Sequence, residues 1–173
     1  SLRPDFSTYA QLTDRDTEQC KLKAFDKAPV LQAFFDRSAE QRIYSLRPIH
    51  TYGNWSGQSP FKVQKPLGNK PIGVITRATL NPNRLLDFWR HVPQASRAIK
   101  QAKGVGFFKG IGEWPFVQQA TFSVWESAEA IRTFAYVSQA HASIVKKTRQ
   151  RKWYKEDMFN RFEVLSEEKT PLI

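Results

Sequence analysis

With 173 residues, the chain is long enough for one domain with a sizeable core or for two small fused domains. Its content of 40% hydrophobic and 13% aromatic residues is typical of a globular protein and excludes a disordered one. No apolar run approaches the roughly 18 residues that a membrane-spanning helix needs, and we expect no signal peptide because a basic-then-apolar leader is lacking. The single cysteine, Cys20, excludes an internal disulfide and indicates a reducing cytoplasm.

The formal net charge of +11 indicates either a solvated basic surface or an anionic partner. A solvated face and peripheral docking on an anionic membrane both stay open. Nucleic acid is not expected, because the sequence has no zinc-finger spacing, no RNP-like strand and no recognisable helix-turn-helix. Much of the excess falls at helix-patterned positions: Lys146, Lys147, Arg149, Arg151, Lys152 and Lys155.

The first 50 residues predict the order strand, helix, helix, strand. Phe6–Leu12 is a strand, Asp16 caps a helix that Ala28-Pro29 breaks, and a further helix precedes the strand Ile43–Ile49. This order is the second half of a ferredoxin-like unit whose opening β-α-β is missing. Either upstream residues are absent from this chain, or a partner, such as a second copy in a homodimer, completes the sheet.

A segment rich in glycine, proline and serine, Gly53–Leu67, is predicted to be a linker. It contains Trp55, a large aromatic side chain that a plain linker does not need. The expected boundaries are 1–52 for the half-unit, 53–70 for the linker and 71–173 for a complete second unit.

The second unit opens with an alternating strand, Pro71–Leu80, and an amphipathic helix. Asn81-Pro82 supplies the N-cap with proline at the first helical position. The helix is expected to kink or divide at Pro93, and Gly104 ends it.

Further elements complete the second unit. In order, they are a strand near Gly106–Ile111, a turn over Gly112–Pro115, a strand Phe116–Trp125, a helix capped by Ser127 that breaks near Ser138 and resumes to about Lys147, and a strand Phe159–Leu165. The order β-α-β-β-α-β is that of a ferredoxin-like unit. The chain is therefore predicted to be an α+β tandem of the dimeric α+β-barrel type.

Alternation along the strands gives each a polar and an apolar side. Arg77, Gln119, Thr121 and Ser123 are assigned to one polar face, which is expected to be buried against a second sheet and to shelter a chamber. The stretch Gly104–Gly112 is glycine-rich but lies on a strand, which favours a bulge or a flat ligand over a phosphate cradle.

Three histidines are candidates for chemistry. His50 is predicted to lie on the surface and His91 at the edge of an apolar helix stripe. His141 lies where the second helix resumes, over the open sheet face, and can ligate iron if its other nitrogen is hydrogen-bonded. An ordinary helix histidine is the alternative. The spacing of the three does not indicate zinc, and no nucleophile motif is present.

A distinctive set of motifs spans nearly the whole chain: Trp55-Ser56-Gly57 with Pro60-Phe61, Thr76-Arg77-Ala78-Thr79, Phe88-Trp89-Arg90, Lys109-Gly110-Ile111-Gly112-Glu113, Gln119-Ala120-Thr121-Phe122-Ser123-Val124-Trp125, Phe134-Ala135-Tyr136, and Trp153-Tyr154 with Phe159-Asn160-Arg161-Phe162. In these motifs the chain resembles the spheroidene monooxygenase family, which oxygenates acyclic carotenoids to keto products. The run from Lys109 to Trp125 is the most specific part.

The resemblance implies a haem protein that uses molecular oxygen. The stretch around His141 also resembles the axial-histidine segment of haem aldoxime dehydratases, which implies that His141 is the axial ligand of haem b. In that interpretation Arg77, Lys109 and Gln119 are the catalytic residues, which line the distal face or hold haem propionates, with an ordinary barrel-rim position as the alternative. The aromatic members of the implied cofactor pocket are Trp89, Phe107, Trp125 and Phe134.

The leading hypothesis is a haem-dependent monooxygenase that acts on a long apolar, carotenoid-like substrate at a membrane. One alternative keeps the fold and makes the protein a haem dehydratase or a cofactor-free barrel oxygenase with a small substrate. Another is a non-enzymatic module whose basic face binds acidic lipid or nucleic acid.

Overall fold

A computed structural model describes residues 10, 12, 38–59, 61–114, 116–137 and 139–171. The strands are β1 (Glu40–Gly53), β2 (Ile72–Leu80), β3 (Val105–Trp114), β4 (Gln118–Trp125) and β5 (Tyr154–Pro171). The helices are α1 (Leu85–Lys100), α2 (Ala128–Arg132) and α3 (Gln139–Gln150). A 3-10 turn, Pro82–Arg84, precedes α1, and a π-helical turn, Thr133–Val137, separates α2 from α3.

The strands form one sheet in the order β1-β5-β2-β4-β3. Strand β2 pairs antiparallel with β4 and β5, and β3 pairs antiparallel with β4. The predicted α+β fold with the order β-α-β-β-α-β is therefore confirmed from β2 onward. The predicted strand Ile43–Ile49 lies within β1. The strand and helices predicted before residue 38 lie outside the described residues.

The chain divides into two compact units. The larger includes Leu46–Leu165, and the described part of the smaller consists of residues 10, 12, 38–45 and 166–171. The features below belong to the larger unit. The boundaries predicted at residues 52 and 70 stay a prediction.

Local capping signals explain where the helical segments begin. The Asn81 side chain accepts a hydrogen bond from the Asn83 amide at 3.2 Å, and Ser127 accepts one from the Ala130 amide at 3.1 Å. Helix α1 runs through Pro93 without being divided. No helix among the described residues is long and apolar enough to cross a membrane.

The turn predicted at Gly112–Pro115 is displaced toward the C-terminus. Strand β3 continues to Trp114, because Gly112 and Trp114 still pair with Gln119 and Gln118 of β4. The chain then turns at Phe116, whose φ of 70° is left-handed. Cross-strand pairing thus extends the strand over residues that local turn signals assigned to a loop.

Two apolar clusters pack one face of the sheet against the helices. The first joins Ile72, Val74 and Trp125 to Ile131 of α2, and the second joins Leu80, Phe88 and Trp153. We call the side of the sheet that carries Ile72, Val74 and Trp125 the helix-covered face. Burial of these apolar side chains is the main stabilising contribution to the unit.

The pairing register separates side chains that the sequence placed together. Arg77 lies opposite Ala120, whereas Gln119 lies opposite Ala78. Because opposed residues project from the same face, Gln119 lies on the helix-covered face and Arg77 on the other. Thr121 and Ser123 lie on the helix-covered face with Gln119, because alternate residues of a strand share a face. The prediction of one shared polar face is therefore wrong, because it grouped the side chains by polarity, whereas the pairing register decides which side of each strand faces the helices.

The face that carries Arg77, here called the second face, is also shielded from solvent. Its side chains Met158, Phe162 and Val164 are buried, as is Arg77 itself. The expected burial of the face away from the helices is therefore present at these residues. A covering second sheet stays a prediction.

Candidate functional site

A tight turn follows β1 and carries Trp55. The Trp55 amide donates to the Gln58 carbonyl at 2.8 Å, and the Gln58 amide donates back at 3.2 Å. The two central residues, Ser56 and Gly57, have φ angles of 53° and 78°. Two successive left-handed residues are typical of a two-residue β-turn, and glycine is the preferred residue at the second of these positions.

The carboxylate of Glu156 on β5 fastens this turn. It accepts hydrogen bonds from the Gly57 amide at 2.8 Å and from the Ser56 amide at 3.2 Å. These two backbone donors, with a smaller contribution from nearby Arg77, hold the pKa of Glu156 below its ordinary value. Glu156 is therefore a carboxylate at neutral pH and a fixed anchor for the turn.

Arg77 of β2 contacts both the turn and Glu156. Its side chain is only 5% exposed, and its guanidinium carbon lies 4.5 Å from the centroid of the Trp55 ring. A guanidinium nitrogen lies 3.8 Å from a Glu156 oxygen. A buried cation needs such compensation, which the aromatic face and the carboxylate supply together. The contact explains why a segment predicted to be a linker contains a tryptophan.

A polar depression of about 440 Å³ borders this cluster. Its lining residues are Asn54, Ser56, Gly57, Thr79, Lys155 and Glu156. An amide, a hydroxyl, an ammonium and backbone groups can together bind a small hydrogen-bonding group. No cluster of three or more metal-ligating side chains occurs in the described part of the chain. The depression and the Trp55–Arg77–Glu156 cluster form the candidate site.

The three predicted catalytic residues do not come together. Lys109 pairs with Phe122 and therefore lies on the second face with Arg77, but β4 separates their strands. Gln119 lies on the helix-covered face. Their catalytic roles stay predictions, and of the three only Arg77 belongs to the candidate site.

The aromatic residues predicted to hold a cofactor are also divided. Trp125 and Phe134 belong to the first apolar cluster, where their ring centroids lie 5.1 Å apart. Trp89 packs against the second cluster, and its indole N–H donates to the Phe116 carbonyl at 3.0 Å. Phe107 contacts Phe122 at 6.0 Å on the second face. These four aromatic side chains therefore do not surround one common cavity, and their role in holding a cofactor stays a prediction.

The three histidines lie in different settings. His50 is exposed, as predicted. His91 is partly buried at the edge of α1, with Nδ1 2.8 Å from the Asp87 carbonyl oxygen and its ring 5.0 Å from that of Trp153. His141 lies on α3, and its side chain is outside those described. Its role as an axial ligand stays a prediction.

The sequence interpretation missed Glu156. Its partners, Ser56 and Gly57, are about 100 residues away in the chain, so no local pattern joins them. The only sequence signals were the serine-glycine pair, which suits a left-handed turn, and the unexplained tryptophan beside it.

Comparison with solved structures supports the fold. A crystal structure described as a candidate monooxygenase from Fusobacterium nucleatum superposes with a TM-score of 0.54 at 10% identity. The match covers 89% of this chain and 68% of that protein. This superposition supports the α+β fold of the dimeric α+β-barrel type expected from the sequence. No family model matches the chain.

Comparison with curated proteins confirms the resemblance found in the motifs. The chain is 32% identical over 165 residues to a spheroidene monooxygenase of Cereibacter sphaeroides, a match that covers 94% of this chain and 51% of that protein. It is 29% identical over 169 residues to a spheroidene monooxygenase of Rhodobacter capsulatus, a match that covers 96% of this chain and 70% of that protein. The chain thus spans about half of the first relative and more of the second.

Proposed function

We propose that the chain contributes to a monooxygenase that acts on a long apolar substrate of the acyclic carotenoid class. The observation that carries the proposal is the 32% identity to a spheroidene monooxygenase, which extends over 94% of this chain. The similarity is not confined to one element, since the quoted motifs lie from the Trp55 turn to β5. The buried Arg77 and its aromatic partner Trp55 belong to these motifs.

Such a reaction inserts one atom of molecular oxygen into a substrate bond and releases the other as water. It needs two electrons and two protons, which we assign to an external reductant such as a reduced electron-transfer protein. Within this proposal Arg77 and Glu156 are positioning residues. They hold the Trp55 turn against β2 and β5 and so keep the shape of the depression beside it.

Haem b ligated by His141 stays a prediction. If bound, haem would supply oxygen activation. Haem-reconstituted protein is expected to show a Soret band that is lost in His141→Ala and kept in the control His50→Ala, whose side chain is exposed. A wild-type chain without a Soret band, or one equally strong in His141→Ala, would contradict this ligation.

The proposed activity can be tested in a host that accumulates spheroidene. Expression of the chain is expected to convert the pigment to an oxygenated product, detected by mass spectrometry of the extract. The matched control is the segment of the Cereibacter sphaeroides protein that aligns with this chain. If that segment oxygenates the pigment and this soluble, folded chain does not, the proposal is wrong.

A small polar substrate is the second candidate. The observation that favours it is the depression itself, whose polar lining and volume of about 440 Å³ suit a compact hydrogen-bonding molecule better than a polyene. It predicts substrate-dependent oxygen uptake with small phenolic compounds and none with carotenoid. Oxygen uptake with carotenoid but not with small phenolic compounds would exclude this candidate.

A further inference from the structure

The positive charge of the chain is concentrated in two segments. Residues 84–103 contain five lysines and arginines and one acidic residue, and residues 139–155 contain six and none. The rest of the chain has 16 basic and 15 acidic residues, so it is almost neutral. Nearly all of the net charge of +11 therefore belongs to α1, α3 and the residues that flank them.

These two segments are joined in the structure. Asp87 of α1 accepts hydrogen bonds from Arg151 at 2.5 Å and from the Trp153 indole at 2.7 Å, which ties the end of α3 to the start of α1. Asp87 is the one acidic residue of the two segments, and its charge is already offset by Arg151. The other basic residues of the two segments therefore have no acidic residue in these segments to offset their charge.

Helix α1 presents a regular outward stripe. Its exposed positions recur at helical spacing: Leu86, Arg90, Gln94, Arg97 and Lys100. A depression of about 520 Å³ lies along this stripe, and its lining includes Arg90 and Arg97 but no acidic residue. Leu86, at the start of the stripe, is 78% exposed.

Helix α3 presents similar chemistry. Lys146 and Arg149 are exposed on it, and Val145 beside them is an exposed apolar residue. We call the following exposed residues of the two helices the basic helix face: Leu86, Arg90, Arg97, Lys100, Val145, Lys146 and Arg149.

We propose that the basic helix face docks on an anionic lipid bilayer. Lysine and arginine side chains are attracted to acidic headgroups, and exposed apolar side chains among them can enter the boundary between headgroups and acyl chains. Leu86 and Val145 favour lipid over nucleic acid, because a phosphate backbone offers no apolar region to receive them. This inference goes beyond the proposed activity and does not depend on turnover.

Vesicle flotation without substrate tests the docking. The chain is expected to float with phosphatidylcholine vesicles containing about one-third phosphatidylglycerol and not with phosphatidylcholine alone. Raising the ionic strength from about 0.1 M to about 1 M shortens the Debye length from about 10 Å to about 3 Å and should release most of the protein. Equal binding to both vesicle types would overturn the proposal.

A matched pair of charge reversals locates the surface. Arg90→Glu with Arg97→Glu should weaken binding to the anionic vesicles at least about 30-fold. Lys62→Glu with Lys65→Glu makes the same change in net charge on exposed residues of another segment, and should weaken it by less than about 3-fold. Equal losses in both variants would show a response to net charge alone and contradict a defined face. Circular dichroism checks each fold, and glutamine replacements at Arg90 and Arg97 serve if a reversal misfolds.

The apolar contribution distinguishes lipid from nucleic acid. Leu86→Ser should lower the binding that persists at high salt by about fivefold or more, and should leave duplex DNA binding unchanged. If DNA competes the protein off the vesicles completely and Leu86→Ser has no effect on flotation, the face is a polyanion-binding surface and the lipid assignment is wrong.

Discussion

Two glutamates of β5 perform the same task at opposite ends of the segment that follows β1. Glu156 accepts from the Ser56 and Gly57 amides, and the buried Glu163 accepts from the Leu67 and Gly68 amides at 2.7 and 2.8 Å. In each case successive backbone N–H groups at a turn with left-handed residues converge on one carboxylate, which is a favourable way to bind an anion. The segment predicted as a linker is thus fastened to β5 at both ends.

The Glu163 hydrogen bonds predict how stability depends on pH. The pKa of Glu163 lies below its ordinary value of 4.5, and the hydrogen bond from the Leu67 amide is the largest cause. A lowered folded-state pKa gives stabilisation that is present above the ordinary value and is lost as pH falls through the folded value. Glu163→Gln should therefore unfold at lower urea concentration than wild type at pH 7.

The control for this prediction is the same comparison in acid. The difference between the urea midpoints of wild type and Glu163→Gln should narrow as pH falls below 4.5, because the wild-type carboxyl then becomes protonated as well. A difference that is unchanged or larger in acid would show that the charge on Glu163 does not stabilise the fold.

Residue-level features were partly visible in the sequence. Trp55 was recognised as unexplained in a loop, and Arg77 as a residue within a distinctive motif. Their contact with each other, and the carboxylates that hold the loop, could not be predicted, because hydrogen bonds over about 100 residues leave no periodic signal. The sequence therefore predicted members of the candidate site without its arrangement.

At the scale of elements, β1 ends where it approaches β5 closely. Gly53 has a φ of 76°, and a Cβ built on it would lie 2.1 Å from the Asp157 carbonyl oxygen. Neither the left-handed backbone nor the close approach tolerates a side chain. The neighbouring Asn54 amide donates to that same carbonyl at 3.1 Å, so the approach is part of the sheet's pairing and not a loose contact.

Paired glycine substitutions test this close approach. Gly57 has a similar φ of 78°, but no atom lies within 4 Å of an added Cβ. Gly57→Ala should cost about 1 kcal/mol, the usual penalty of a left-handed alanine, and Gly53→Ala about 3 kcal/mol or more because backbone must also move. Chemical denaturation of both variants measures the difference. Equal costs would mean that β1 and β5 do not approach as described.

Elements were predicted better than their relations. Caps at Asn81 and Ser127 and the alternation of β2 and β4 are local signals, and they correctly indicated the helices and strands. The register between β2 and β4 is not a local signal, and grouping side chains by polarity alone placed Arg77 and Gln119 on the same face. The end of β3 was also predicted too early, since cross-strand pairing carries it to Trp114.

At the scale of the whole molecule, two properties point in the same direction. The chain is similar to proteins named spheroidene monooxygenase, and its positive charge is concentrated in α1, α3 and the residues that flank them, among which Leu86 is exposed. A protein that takes its substrate from a bilayer would need both an apolar substrate site and a surface for the headgroups. The concentration of charge in residues 84–103 and 139–155 was evident from the sequence, whereas the contact that Asp87 makes between these two segments required the structure.

Oxygen labelling of the product tests the proposed activity most directly. Purified chain would be mixed with spheroidene in vesicles and with a reductant under oxygen-18 gas, and the product reduced at once with borohydride because a keto oxygen exchanges with water. We predict a carotenoid product heavier by one labelled oxygen than that formed under ordinary oxygen, and no product under nitrogen. A product that forms without oxygen gas, or whose added oxygen comes from labelled water, would contradict the account.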